Sequence, residues 1–308
     1  MTSTLIVAHR RVETVEQVAK AVIDAGITDV WAWVDGPRTS SEAEQTVAVV
    51  RALRGQKWPG ELHLLENRSN HGVAKAVPAA LDWMFGSREQ VIVLEDDCVP
   101  TPEFFTFVDL MLGRYCDDSR VALVSGTRIA PPQTTGSADP YEFSKFPLIW
   151  GWATWRDRWN RYQHDIRGWR AELGLGQLVT QGGLLHAWDW YRLFNSVATD
   201  NPWSWDYQLT YMLWRHQQLA LIPPVDLVCN VGFGDLASHT AIAPSYAPQP
   251  PKAALRQVAI KRASQSEVVQ PTVSHSTDRA LRRLLFSPPL RERLGRRLAT
   301  RRNSRSNS

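Results

Sequence analysis

Five short apolar runs alternate with stretches of helical spacing over the first 125 residues, and this alternation constrains the fold more than any other feature of the chain. Thr4–Ala8, Asp29–Val34, Glu61–Leu65, Gln90–Leu94 and Val121–Ser125 read as strands. Between the first two, Val15, Val18, Ala19 and Val22 recur at helical spacing from Val12 to Ala25, and Gly26 ends the run. Ser41–Arg54, a stretch opened by Asn70-His71-Gly72-Val73 and running to about Phe85, and Pro102–Tyr115 read as further helices. Strands joined through helices pair in parallel, so the chain is expected to be α/β, a three-layer sandwich with a mainly parallel central sheet.

In such a sheet, ligands bind beyond the carboxyl ends of the strands. Here those ends are polar. The first strand runs into His9-Arg10-Arg11, the second into Asp35-Gly36, and the third into Glu66-Asn67-Arg68-Ser69-Asn70. The fourth, Gln90–Leu94, stops abruptly at Glu95-Asp96-Asp97. Three adjacent carboxylates repel one another unless a cation or a set of donors offsets them. Side chains alternate along a strand, so Glu95 and Asp97 face one way and Asp96 the other. A metal there has few protein ligands, and hard oxygen donors suit Mg²⁺ or Mn²⁺ with water and phosphate completing the shell. The rival reading is an exposed acidic turn. Neither G-x-x-x-x-G-K-[ST] nor G-x-G-x-x-G occurs, which leaves out the NTPase P-loop and the dinucleotide fingerprint.

From about residue 126 to 245 the rhythm breaks, and ten of the 14 tryptophans lie between Trp150 and Trp214. Trp188–Phe194 and Trp205–His216 read as helices and Leu219–Ile222 as a short strand. Most of these tryptophans are expected in the core, with two or three lining a pocket, where an indole stacks on sugar rings and bases. Asp206, after Trp203-Ser204-Trp205, has two readings: a general base in an aromatic setting, or a helix N-terminal acid favoured by the helix dipole. His239 sits in a loop-like stretch, where it is either solvated or close to a metal or diphosphate.

Charge divides the chain unevenly. From Lys252 to Ser308 there are 14 Lys and Arg against 3 Asp and Glu, or +11, so the remaining residues carry 4 − 11 = −7. The Pro-, Ser- and Arg-rich composition after about Ser245 reads as a linker and tail. Boundaries are accordingly expected at about 125, where the strand–helix alternation ends, and at 245, where the basic tail 246–308 begins. Leu281, Leu284, Leu285, Phe286, Leu290, Leu294 and Leu298 among many arginines give the tail an amphipathic character suited to an anionic membrane surface. No apolar run reaches the length of a membrane span, no secretory signal is expected, and three scattered cysteines point to reduced thiols. A cytoplasmic protein, peripheral on the inner face of the membrane, fits these features, and no nucleic acid is expected as a partner.

Taken in order, the Asp35-Gly36 strand end, Asn70-x-Gly72-Val73, Glu95-Asp96-Asp97 with Pro102-x-Phe104-Phe105, Trp150-Gly151-Trp152, Asp206 and Ser238-His239 resemble GT-A fold (Rossmann-like) nucleotide-sugar glycosyltransferases. The likeness is to the inverting N-acetylglucosaminyltransferase I type and its bacterial relatives, often grouped with family 2, and covers roughly residues 3 to 240. It implies one transferase domain over 1–245, with a nucleotide-binding part at about 1–125 and an acceptor and catalytic part at about 126–245. The resemblance implies Asp97 as direct ligand of Mn²⁺ or Mg²⁺, with Glu95 and Asp96 on the ribose or on metal-bound waters. It places Arg10 and Asp35 at the base, and Asn70, Gly72 and Lys75 along the nucleotide cleft. It implies Asp206 as the base that deprotonates an acceptor hydroxyl, and His239 at the metal or diphosphate. Trp150, Gly151, Trp152 and Trp205 are assigned to the donor and acceptor pocket. The implied donor is a nucleotide-diphosphate sugar, a UDP-sugar first, and the acceptor a glycan or lipid-linked hydroxyl in surface polysaccharide or glycoconjugate synthesis. The chain departs from the eukaryotic members around Asp206, where it reads Trp-Asp-Tyr instead of paired acids. The alternatives are a sugar nucleotidyltransferase, and a non-catalytic glycan-binding or membrane-scaffold protein on a degenerate transferase fold.

Overall fold

A computed structural model describes residues 1–129, 140–233 and 247–286. The first half follows the expected alternation: β1 (Thr4–Ala8), α1 (Val12–Asp24), β2 (Asp29–Val34), α2 (Ser40–Arg54), β3 (Glu61–Glu66), α3 (Val73–Phe85), β4 (Gln90–Glu95), β5 (Cys98–Pro100), α4 (Pro102–Arg114) and β6 (Val121–Ser125). The second half adds β7 (Glu142–Ser144), β8 (Trp152–Trp155), α5 (Arg156–Trp159), α6 (Trp169–Leu173), α7 (Leu175–Gly182), a single 3₁₀ turn (Leu184–His186), α8 (Ala187–Val197), α9 (Asp206–Arg215), β9 (Leu219–Ile222), β10 (Val228–Asn230), α10 (Ala253–Gln265) and α11 (His275–Phe286).

Eight strands form the central sheet in the order β3-β2-β1-β4-β8-β6-β9-β7. β3, β2, β1 and β4 pair in parallel, as do β6 and β9, and the sheet is mainly parallel with helices on both faces. β8 is the exception that shapes the site. It runs antiparallel between β4 and β6, pairing Trp152 with Val93 and Ser125. All four of its residues are buried, so it carries no in–out alternation and no strand was expected there.

The two sheet faces hold two cores. Trp152 faces the side covered by α3, α8 and α9, whereas Ala153 and Trp155 face α1, α2 and α4. The tryptophan-rich stretch is mainly core, as expected. Trp159, Trp169, Trp190, Trp205 and Trp214 are buried, with Trp190 packed edge-on to Trp214 at 4.6 Å. Trp188 and Trp203 remain exposed.

Residues 253–286, whose composition reads as linker and tail, contain two helices that pack on the body. Ile260 and Ala263 of α10 are buried near α4, where Arg256 pairs with Glu103 at 2.9 Å and Arg114 donates to the Ala263 carbonyl at 3.0 Å. α11 is tied to β7 through Ser144 Oγ, which donates to buried Asp278 at 2.7 Å. These anchors are mostly polar and backbone bonds, which an apolar pattern does not reveal. Among the described residues no helix is long and apolar enough to cross a membrane, and the three cysteines are unpaired.

Candidate functional site

β1, β2 and β4 end together on one edge of the sheet, and a cleft of about 370 Å³ opens there. Arg10, Asp35, Asn70, Gly72, Glu95, Asp96, Asp97 and Trp150 all line it. One wall is the turn into α3. Gly72 sits at φ +71°, a conformation that favours glycine, and α3 has no side-chain cap of its own. Asp35 supplies what the helix lacks. Its buried carboxylate accepts from the backbone N–H of His71 at 2.9 Å, the N–H of Gly72 at 3.0 Å and Asn70 Nδ2 at 2.9 Å. Asp35 therefore holds the turn in shape, and Asn70, which also donates to the Gly36 carbonyl at 2.8 Å, locks it to the second strand end.

A second wall is cationic. Arg10 Nη1 donates to Glu42 Oε1 at 2.9 Å, and Arg38 Nε lies 3.1 Å from both Glu42 oxygens. The Arg38 hydrogen bond, with help from Arg10, holds the Glu42 carboxyl down to about 2 although burial opposes it. One carboxylate from α2 thus fixes two guanidinium groups at the cleft. His9 is held below its ordinary value by burial, and its Nε2 is 3.1 Å from the Gly36 carbonyl.

The floor is acidic. Arg11 Nη2 contacts Asp96 Oδ1 and donates to Asp97 Oδ2 at 2.7 Å. Burial works against the Arg11 charge, but the two carboxylates outweigh it and hold the proton more tightly than usual. One guanidinium does not balance three acids. Burial, and then the charges of Asp97, Asp96 and Asp206, push the Glu95 carboxyl well up, and burial raises Asp96 despite Arg11. The floor therefore gathers hard oxygen groups that resist ionising together, and a divalent cation would favour their charged form. Among the described residues no three His, Cys, Asp or Glu side chains converge as a cage. An ion held here by Asp97 would leave most of its positions for water or phosphate oxygens.

The short pair β10–β5 brings a distant segment over the acids. Asn230 pairs with Cys98, and Val231 N–H donates to the Asp97 carbonyl at 2.8 Å. Gly232 follows so closely that a Cβ there would stand 1.9 Å from Asp97 Oδ2. Trp150 completes the rim, edge-on to Phe233 at 6.2 Å.

Trp150-Gly151-Trp152 divides into two functions. Gly151, at φ +67°, turns the chain, and a Cβ there would lie 2.6 Å from Val228 Cγ2. Trp150 faces the cleft before the turn, and Trp152 enters the core after it. Trp152 and Trp205, expected in the pocket, instead stack on each other at 5.6 Å with 1% and 2% exposure. Their place in the core follows from β8 lying inside the sheet with α9 packed across it. Lys75 lies on the exposed side of α3, where its charge lowers His164 after the larger effect of burial; it does not line the cleft. Asp206 begins α9, accepts from Ser204 Oγ and is close enough to raise Glu95. His239 lies outside the described residues, as do residues 287–308 of the basic tail.

Sequence reasoning missed Arg38, Glu42, Asn230, Gly232 and Phe233, and it treated Arg11 only as part of a basic strand end. Arg11 adjoins Arg10 and was within reach. Asn230 and Gly232 carry no local signal, because only the β10–β5 pairing brings them to Asp97.

No protein-family model and no curated protein matches the sequence. Among solved structures, the chain is similar to the crystal structure of 4-diphosphocytidyl-2C-methyl-D-erythritol synthase from Anaerococcus prevotii at 10% identity and a TM-score of 0.31. The match covers 51% of this chain and 70% of that one.

Proposed function

We propose that the chain is a divalent-cation-dependent glycosyltransferase of GT-A type that takes a sugar from a nucleotide diphosphate to an acceptor hydroxyl with inversion. One observation carries this reading: a single cleft beyond the strand ends joins the guanidinium groups of Arg10, Arg11 and Arg38 to the carboxyls of Glu95, Asp96 and Asp97, and Asp206 is close enough to act on Glu95. In this reading Arg10, Arg11 and Arg38 hold the anionic donor, and the turn fixed by Asp35 and Asn70 shapes the nucleotide wall. Mn²⁺ or Mg²⁺, when bound, supplies charge stabilisation to the departing diphosphate. Asp97 would hold that ion, while Glu95 and Asp96 orient the ribose or water. Asp206 takes the proton from the acceptor hydroxyl as its oxygen attacks the anomeric carbon. The acceptor is a glycan or a lipid-linked saccharide.

A second reading, nucleotidyl transfer to a sugar phosphate, is favoured by the guanidinium count: Arg10 and Arg11 directly after β1, with Arg38, carry charge enough for a triphosphate. The products separate the two. A thermal-shift screen of nucleoside diphosphates and triphosphates with and without Mn²⁺ comes first, since ligand binding raises apparent stability. Turnover of the stabilising nucleotide's sugar conjugate then releases nucleoside diphosphate if sugar is transferred, whereas nucleotidyl transfer from the triphosphate releases pyrophosphate. Asp206→Asn is expected to keep nucleotide binding and to lose sugar transfer. No stabilisation by any nucleotide in the presence of Mn²⁺ would sink both readings.

A further inference from the structure

Asp97 meets different chemistry at its two oxygens, and the difference bears on which ion it can hold. Oδ2 is held by a cation: Arg11 Nη2 donates to it at 2.7 Å. Oδ1 is held by neutral donors. Asn230 Nδ2 donates to it at 3.4 Å and the Cys98 thiol at 3.5 Å. An ion arriving at the carboxylate repels the Arg11 guanidinium but leaves the amide and the thiol in place. Oδ2 is therefore the oxygen that an ion can take, and Oδ1 stays with the protein.

Asn230 is fixed for this task from three sides. The β10–β5 pair sets it opposite Cys98, the residue after Asp97. Its neighbour Val231 donates a backbone N–H to the Asp97 carbonyl at 2.8 Å. The Asn230 side-chain oxygen accepts the Gly232 N–H at 2.9 Å, so the NH₂ end of the amide faces Asp97. With its oxygen engaged at Gly232, Asn230 steers the carboxylate and is not itself an ion ligand.

A carboxylate limited to one oxygen suits some ions better than others. Mg²⁺ is small, keeps much of its water and binds through few carboxylate oxygens, and Mn²⁺ accepts a similar octahedral shell. Ca²⁺ gathers a larger shell and readily takes both oxygens of one carboxylate. We infer that Asn230 makes Asp97 a one-oxygen ligand and thereby selects Mn²⁺ or Mg²⁺ over Ca²⁺. This role rests on the cation-dependent reading of the cleft and adds to it the residue that chooses the ion.

The test measures ion binding, not turnover. Bound Mn²⁺ is read from the loss of its free electron paramagnetic resonance signal in the presence of the full chain, and CaCl₂ is then added as competitor. The wild type is expected to hold Mn²⁺ against about a tenfold or greater excess of Ca²⁺. Asn230→Ser keeps an oxygen for the Gly232 N–H but has no amide to reach Asp97. It should let Ca²⁺ compete about tenfold better, with the melting temperature of the ion-free protein little changed. Asn230→Asp exchanges the donor for a second carboxylate and should shift the balance further toward Ca²⁺, which decides the matter if the serine variant does not fold. Unchanged competition in a folded variant overturns the inference and leaves the proposed function standing. Equal weakening of Mn²⁺ and Ca²⁺ by Asn230→Ser would make Asn230 a ligand and also overturns it, as does a wild type that binds Ca²⁺ as tightly as Mn²⁺. A wild type that binds neither ion sinks the inference together with the cation-dependent reading.

Discussion

Arg11 stands where a cation would act, and replacing it should therefore tighten cation binding. Its Nη2 contacts Asp96 and lies 2.7 Å from Asp97, and the three side chains are only 14%, 6% and 14% exposed. A hydrogen bond to a charged partner in such a setting is worth about 1.5–3 kcal/mol. A divalent ion arriving alone at Asp97 must give up at least that contact and then sit beside a guanidinium. In Arg11→Met the contact is already gone and two carboxylates are left unbalanced. Mn²⁺ alone should bind roughly 10- to 100-fold more tightly, which is the same energy expressed as an affinity ratio. The sign reverses for a nucleoside diphosphate, which loses a cationic partner. Calorimetric titration of wild type and variant with MnCl₂ alone, and then with UDP in the presence and absence of Mn²⁺, measures both effects. Wild type should show strong mutual enhancement between ion and nucleotide, and the variant much less. A folded variant that binds Mn²⁺ no better than wild type would refute the idea that Arg11 and the ion compete for the same oxygens.

Two neighbouring tryptophans should respond differently to truncation. Trp205→Ala removes a core ring stacked on Trp152 and should cost about 3–5 kcal/mol in urea unfolding, whereas Trp150→Ala should leave stability nearly intact and weaken nucleotide or sugar binding. Gly232→Ala drives a methyl into Asp97 Oδ2 and should abolish the Mn²⁺-dependent thermal shift while leaving far-UV circular dichroism unchanged. Glu42 gives a pH signature. Its folded carboxyl is depressed to about 2 from 4.5, so it stabilises the native state above the unfolded value, and that contribution is lost as pH falls through the folded one. Acid unfolding of Glu42→Gln should accordingly show a shallower stability slope between those two pH values, and an unchanged slope would remove Glu42 from the account.

Much of the first half was legible because its strands are short, apolar and separated by helices with clear periodicity. Thr4–Ala8, Asp29–Val34 and Val121–Ser125 form strands over the expected residues. Glu95-Asp96-Asp97 also lies at the end of its strand, since an apolar run closing in three acids leaves few other places for them. What escaped was everything decided by distant pairing. β8 is buried on both faces, so Trp152–Trp155 has no period to read, and Trp152 was assigned to the donor and acceptor pocket. Asp35 looked like a ligand group because its partners, the N–H groups of His71 and Gly72, become visible only when β2 and the α3 turn meet. Asn230 and Gly232 reach Asp97 through a three-residue strand too short to announce itself. The helices α10 and α11 bury few apolar side chains, so composition alone placed them with the tail.

Asp97 is approached by segments far apart in the chain: by Arg11 just after the first strand and by Asn230 to Gly232 at the end of the last. During synthesis the acids are made early, but the segment that covers them emerges only after more than a hundred further residues. A nascent chain therefore presents an open acidic strand end with Arg11 as its sole early partner among these groups. The finished cleft cannot form before the polypeptide has closed on itself. Nucleotide-dependent protection of this region from proteolysis would accordingly mark completed molecules and pass over arrested ones.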